Sequence, residues 1–267
     1  MTEPVLREID GDIGIITLNR PNARNAIDAA TSHALSEAFA WVEETPELRI
    51  GVLAANGSSF CAGMDLKAFA SGTWKEIFSV EGGFGGLVRR ERNKPLIAAI
   101  DGPAIAGGLE IALACDMIVA SPLASFALPE PKLGLIAGAG GIVHLAKRLP
   151  PAIATEILLT GRIFSLEEAI TFGIVSRECD PGRARDAAVM LAHEIAGAAP
   201  EAITATQALL RYINEHHLKL YWQENDRLFA EIVSSPDAVE GALAFIERRR
   251  PQWHMAMQKS DFEREEA

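Results

Sequence analysis

Cysteine is scarce. The 267 residues include three, Cys61, Cys115 and Cys179, too few and too far apart for a disulfide framework or a zinc site, so a reducing compartment is expected. Tyrosine is scarcer, with only Tyr212 and Tyr221, both in a stretch of helical pattern, which gives a tyrosine-assisted site no support. Positive charge is also short: 25 Lys and Arg stand against 36 Asp and Glu, a formal net charge of −11. A broad nucleic-acid or anionic-membrane surface needs the opposite excess. No apolar run approaches the roughly 18 uncharged residues of a membrane span, and Met1 to Pro4 lack the start of a secretory signal. The expectation is a cytoplasmic protein with neither nucleic-acid nor membrane partners.

Familiar cofactor motifs are missing too. Gly138-Ala139-Gly140-Gly141 begins like a dinucleotide loop, but Val143 stands where its last glycine belongs. There is no phosphate-loop lysine signature and no Gly-x-Ser-x-Gly elbow. His216 and His217 are adjacent, so on a helix they diverge by about 100° and cannot chelate one metal. Chemistry without a metal or separate cofactor is expected.

What is present reads as a folded α/β chain. Hydrophobic residues make up 49% and charged residues 23%, the usual globular balance. Val5 to Leu18 reads as two short strands around Asp10-Gly11-Asp12. A helix follows from Ile27 to about Glu43, with Asp28 near its positive end. Arg49 to Ala54, Leu96 to Ile100 and Met117 to Ala120 read as buried strands, and Leu109 to Cys115 as a short helix. Strand, loop and helix recur, which favours an α/β core.

Between Ser71 and Gly86 lie five glycines interleaved with Trp74, Ile77, Phe78 and Phe84, a composition that suggests a mobile apolar lid. Beyond Ala139 the pattern is mainly helical. Ser165-Leu166-Glu167-Glu168 has capping-box form, and helical patterns cover 183–198, 201–218 and 237–248. The expected division is a core over 1–200 and a helical assembly region over 201–267, with a frayed polar tail from Asp261.

Two glycine-bearing loops carry the chemistry. Cys61-Ala62-Gly63 and Ala106-Gly107-Gly108 each follow a buried strand and lead towards a helix start. Converging N–H groups there can hold an oxygen that gains negative charge, although glycine also serves ordinary tight turns. A Cβ at Gly107 is expected to push such an oxygen away. Glu110 places a carboxylate in the first turn of an apolar helix, where it either complements the dipole or does chemistry. Glu130 lies between Pro129 and Pro131, and the prolines fix its direction.

These residues come together in one resemblance. Asn19 to Ala26, Phe60-Cys61-Ala62-Gly63-Met64-Asp65-Leu66, Ala106 to Glu110 and Pro129-Glu130-Pro131-Lys132-Leu133-Gly134 resemble the crotonase, or enoyl-CoA hydratase/isomerase, superfamily in order and spacing. Within it, Leu128 to Gly134, Leu149 to Ile153, Thr160-Gly161-Arg162 and Asp237 to Gly241 are most similar to carnitinyl-CoA dehydratases. The resemblance implies a spiral of β-β-α turns with a helical C-terminal trimerisation region, doubled in many relatives to a hexamer. It implies catalytic glutamates at Glu110 and Glu130 and an oxyanion hole from the N–H groups of Ala62 and Gly107. Coenzyme A, part of the substrate, would lie along Arg24 and Ala26, then Gly63, Met64, Asp65 and Leu66, with Pro129 and Leu133 nearby. Arg248 stands where many relatives place a lysine that reaches coenzyme A from a neighbouring subunit. Ala137 to His144 departs from the family pattern: its glycines remain and its polar residues do not, which leaves acyl specificity open. The implied activity is reversible hydration of a 2-enoyl-CoA thioester. The alternatives are a carnitinyl-CoA dehydratase, a Δ3,Δ2-enoyl-CoA isomerase, or a noncatalytic CoA- or RNA-binding scaffold, the last opposed by the net charge.

Overall fold

The computed structural model describes residues 3–252, and for 211–221 the backbone alone. Strands β1 (Val5–Asp10) and β2 (Ile13–Leu18) form the expected hairpin, turning through Gly11 at φ 61°. Helix α1 (Ala29–Glu44) starts at Asp28, whose carboxylate accepts from the Thr31 N–H at 2.8 Å. Four further strands, β3 (Ile50–Ala55), β4 (Leu96–Ile100), β6 (Met117–Ala120) and β9 (Arg177–Glu178), join the hairpin. The resulting six-stranded sheet has the order β1-β2-β3-β4-β6-β9 and is parallel from β2 onward.

Parallel strands need cover on both faces, and the side chains divide accordingly. Ile13, Ile15, Val52, Ile97 and Val119 pack against Ala188, Leu191 and Ala192 of α8 (Ala184–Ala196). Ile16, Leu18, Leu53, Ala98 and Ile100 belong to the larger core with Leu35 and Phe39 of α1. A smaller sheet contains β5 (Pro103–Ile105), β7 (Ser125–Ala127) and β8 (Phe164–Ser165).

The chain alternates between the two sheets. β4 and β5 are followed by α4 (Gly107–Ala114); β6 and β7 by α5 (Gly141–Arg148) and α6 (Pro151–Thr160); β8 by α7 (Leu166–Thr171) and β9. This repeated β-β-α excursion is the spiral that the resemblance implied. The capping box of α7 forms as expected, Glu168 N–H to Ser165 Oγ and Ser165 N–H to Glu168 Oε2.

Three segments differ from expectation. Helix α4 begins at Gly107, two residues early, because glycines at the very start of a helix carry little propensity signal. Helix α9 (Pro200–Val233) runs unbroken for 34 residues, well past 218, since no glycine or proline intervenes before Pro236. The 71–86 segment is not a loose cover. It follows directly on α2 (Leu66–Ala70) and contains the short helix α3 (Trp74–Phe78) and a 3-10 turn at Phe84–Gly86, and Ile77 and Phe84 are buried in the main core. Ser32 Oγ donates to the Ile77 carbonyl and Ser36 Oγ to that of Glu81, tying the segment to α1. The C-terminal region closes with α10 (Pro236–Glu247). The tail from 261 lies outside the described residues. No helix among the described residues is long and apolar enough to cross a membrane.

Candidate active site

The two glycine-bearing loops are laced together. Cys61 bridges Ala104, with the Ile105 N–H donating to the Cys61 carbonyl at 2.9 Å. Asn25, held at φ 53°, donates through Nδ2 to the carbonyls of Asn56 and Ser59 and fixes the turn that leads into the first loop. A Cβ on Gly108 would lie 2.2 Å from the Cys61 carbonyl oxygen, and one on Gly63, at φ 88°, 3.0 Å from the Gly107 nitrogen. Only glycine permits this approach.

The first loop's N–H groups are unequal. That of Ala62 donates to the Arg24 carbonyl at 3.0 Å, that of Gly63 to Cys61 Sγ at 3.4 Å, and that of Asp65 to the Ile27 carbonyl at 2.9 Å. The Met64 N–H has no acceptor among the described residues. The expectation for Ala62 is therefore corrected: its donor is engaged by the Arg24 turn, and the open donor two residues on belongs to Met64. In the second loop the Gly107 N–H begins α4 and has no carbonyl partner among the described residues. Ala106 before it sits at φ 53°, ψ −130°, a strained conformation for a residue with a Cβ, held because its N–H donates to Ala127 and its carbonyl accepts from Leu109 and Glu110. The protein itself also requires glycine at 107. A Cβ there would lie 2.5 Å from the Phe84 ring, so the crowding comes from the protein wall.

Both glutamates are buried, Glu110 at 3% and Glu130 at 6% relative exposure, in different surroundings. Glu110 points from the first turn of α4, and its Oε1 accepts from the N–H groups of Ala139 and Gly141, each at 2.8 Å. Glu130 begins the 3-10 turn Glu130–Leu133, and its Oε2 is buried without a hydrogen-bond partner. Burial raises the Glu110 pKa to about 7, the two backbone donors opposing it. Burial and then the charge of Glu110 raise that of Glu130 well above the ordinary carboxylate value. The mutual electrostatic influence shows that the structure brings the two carboxyls together. At neutral pH the proton remaining on the pair belongs on Glu130, because Glu110 has the donors that favour a carboxylate.

A cavity of about 200 Å³ lies beside the loop that binds Glu110. Its wall includes Ala139, whose N–H holds Glu110, and Phe84, whose ring abuts Gly107. Trp74, Phe78 and Phe229 supply aromatic walls, and Arg89 and Asp226 the charged one. Sequence reasoning marked Trp74 and Phe78 only as lid residues and missed Phe229, Arg89 and Asp226, whose separation along the chain leaves no local signal.

The other expected residues lie mostly around the first loop. Arg24 is exposed at φ 51°, and the Ala26 carbonyl accepts from Arg20. Asp65 pairs with Arg20 and accepts from the Lys67 N–H, capping α2 just before Leu66. Pro129 and Leu133 flank the Glu130 turn. Arg248 is set apart at the exposed end of α10, at φ 55°. No group of three His, Cys, Asp or Glu side chains among the described residues could hold a metal ion.

With this geometry in view, similarity to known proteins can be placed. The family profile for enoyl-CoA hydratase/isomerase matches residues 8–256. The carnitinyl-CoA dehydratase of Proteus mirabilis (strain HI4320) is 44% identical over 249 residues, 91% of this chain and 95% of its own. The crystal structure of carnitinyl-CoA hydratase from Mycobacterium avium superposes with a TM-score of 0.89 at 37% identity, covering 95% of this chain and 99% of that one. Enoyl-CoA hydratase from Mycobacterium tuberculosis H37Rv gives 0.76 at 44% identity, again over 95% and 99%. Because the profile match and these likenesses extend over nearly the whole chain, including both loops and both glutamates, the chain belongs to the enoyl-CoA hydratase/isomerase family.

Proposed function

We propose that the protein is an enoyl-CoA hydratase, adding water reversibly across the double bond of a 2-enoyl-CoA thioester. The observation that carries this reading is the pair of buried carboxyls in unequal environments, Glu110 with two backbone donors and Glu130 with none on Oε2. Hydration needs one group of each kind. Glu110, as carboxylate, takes a proton from water as its oxygen attacks the β-carbon; Glu130, as acid, delivers a proton to the α-carbon. Between these events charge collects on the thioester oxygen, and the open N–H groups of Met64 and Gly107 hold it there. A Δ3,Δ2-isomerase can work with one carboxylate and leaves the second buried group unexplained.

Coenzyme A belongs to the substrate in this reading, running along Arg24, Ala26 and the Gly63 to Leu66 segment, with no separate cofactor. The apolar residues Val239, Leu243, Phe245 and Ile246, exposed on α10, support assembly into trimers or hexamers, in which Arg248 would complete a neighbour's coenzyme A site. The relatives named as acting on carnitinyl-CoA support a substrate of that kind over a plain fatty enoyl chain. Hydration of crotonyl-CoA, followed by loss of the thioester-conjugated double-bond absorbance, tests the activity. Glu110→Gln and Glu130→Gln should each lower turnover by about 10²–10⁴. Near-normal turnover in either variant refutes the assignment.

A further inference from the structure

The loop that meets Glu110 is held from its other side by helix α9. Glu110 Oε1 accepts from the Ala139 N–H at 2.8 Å, and the carbonyl of the same peptide unit, that of Gly138, accepts from Asn225 Nδ2 at 2.9 Å. A trans peptide is planar, with its N–H and C=O pointing opposite ways, so the two bonds grip one rigid plate at opposite edges. Trp222 and Phe229 stand about one turn to either side of Asn225 on the same face of α9. Both pack on the loop: a Cβ on Gly138 would lie 2.4 Å from the Phe229 ring, and one on Gly140 3.3 Å from that of Trp222. Those rings already cover the loop. Asn225 is itself buried, at 5% relative exposure, and a buried amide costs stability unless its hydrogen bonds are made. For cover alone, leucine would serve.

We infer that Asn225 is a positioning residue for Glu110, holding the Gly138–Ala139 peptide so that its N–H stays aimed at the carboxylate; this rests on Glu110 as the base proposed above. A donor on the carbonyl end also polarises the peptide and strengthens the N–H at the other end. Without Asn225 the plate can rotate, and Glu110 loses one of the two donors that favour its charged form. It then takes up a proton at higher pH. The other charged groups around the contact do not mimic this effect. His144 of α5, beside Gly140, is neutral because burial and then Arg148, Lys147 and Arg92 push its pKa down to about 3. Asp226, next to Asn225, is paired with Arg89. Glu130 acts on Glu110 from the 3-10 turn, and it is common to the native protein and the variants below.

Asn225→Leu and Asn225→Met remove the donor while keeping an apolar side chain of similar length, and Phe229→Leu loosens the same packing without touching the hydrogen bond. Two titrations are compared in each protein. One follows the Glu110 carboxyl by carbon-13 NMR of glutamate-labelled protein, with Glu110→Gln to assign the signal. The other follows the acidic limb of kcat/KM for hydration of crotonyl-CoA. Both midpoints should rise by about one pH unit in a folded Asn225 variant, so that its rate falls by up to about tenfold on the acidic side and the deficit shrinks as pH rises. Phe229→Leu should leave both midpoints in place, whatever it does to the rate. A native Glu110 midpoint in a folded Asn225 variant, or an equal shift in Phe229→Leu, overturns the inference, because α9 would then act by packing alone. A shifted carboxyl titration with an unmoved kinetic limb upholds the positioning and removes Glu110 as the base, a failure of the proposed mechanism alone. In a protein that hydrates no crotonyl-CoA, the NMR titration still decides.

Discussion

A buried carboxyl group with too few donors destabilises the fold once it ionises, and Glu130, whose Oε2 has none, is such a group. The folded protein holds the Glu110 and Glu130 protons more tightly than an unfolded chain does. Their contribution to stability is therefore complete below the unfolded carboxylate pKa, about 4.3, and is lost as pH rises through about 7 for Glu110 and higher for Glu130. Glu130→Gln removes the ionisation while keeping the shape. The variant should melt a few degrees above the native protein at pH 8, and the difference should shrink at pH 5; a lower melting point at pH 8 contradicts the burial argument. Function thus holds in place a residue that stability alone would replace. Both glutamates were marked in the sequence, one by an apolar helix start and one by its flanking prolines, but those local features left ordinary readings open and the family resemblance alone singled the pair out. The donor in the first loop was not. Whether Ala62 or Met64 presents an open N–H depends on the Arg24 carbonyl, brought close by a left-handed turn almost forty residues earlier.

At the scale of elements, α5 begins at Gly140 with no side-chain cap of its own. The N–H of its first residue, Gly141, with that of Ala139, is met instead by Glu110, reaching from α4. One carboxylate therefore serves as proposed base and as the anchor of the loop that lines the aromatic cavity. Glu110→Gln keeps an acceptor oxygen, and Glu110→Ala leaves two buried N–H groups without one. At pH 5, where the native group is neutral, the alanine variant should be less stable than the glutamine variant by about 1–3 kcal/mol, although both lose turnover. Equal melting of the two would show that the contact does not hold the loop. Strands β1 to β4, α1 and the α7 cap followed from local periodicity and capping residues. The packing of 71–86 did not, because its glycines read as freedom, while in the fold they admit close neighbours: a Cβ on Gly86 would lie 2.5 Å from the Ser36 Cα. The aromatic cavity was hidden because Trp74 and Phe229, far apart along the chain, meet only in the fold, where α9 brings Phe229 against Trp74.

Across the whole molecule, the C-terminal region is joined closely to the turn that carries the proposed acid, Glu130. Helix α10 packs against the 3-10 turn that begins with Glu130: a Cβ on Gly241 would lie 2.2 Å from the Leu133 carbonyl oxygen, and one on Gly134 2.4 Å from that of Asp237. These glycines let two backbones touch, so the helix and the turn move as one body. The opposite face of α10 exposes Val239, Leu243 and Ile246, the surface proposed for assembly. A subunit separated from its neighbours would leave that face in water and loosen the helix on which the Glu130 turn rests. Specific activity should then depend on the enzyme's own concentration: constant where ultracentrifugation shows oligomers, and falling on dilution together with them. Unchanged specific activity in separated subunits would break the link. Where the link holds, dilution acts as an inhibitor, and a compound that wedges apart α10 faces would silence the enzyme without resembling its substrate.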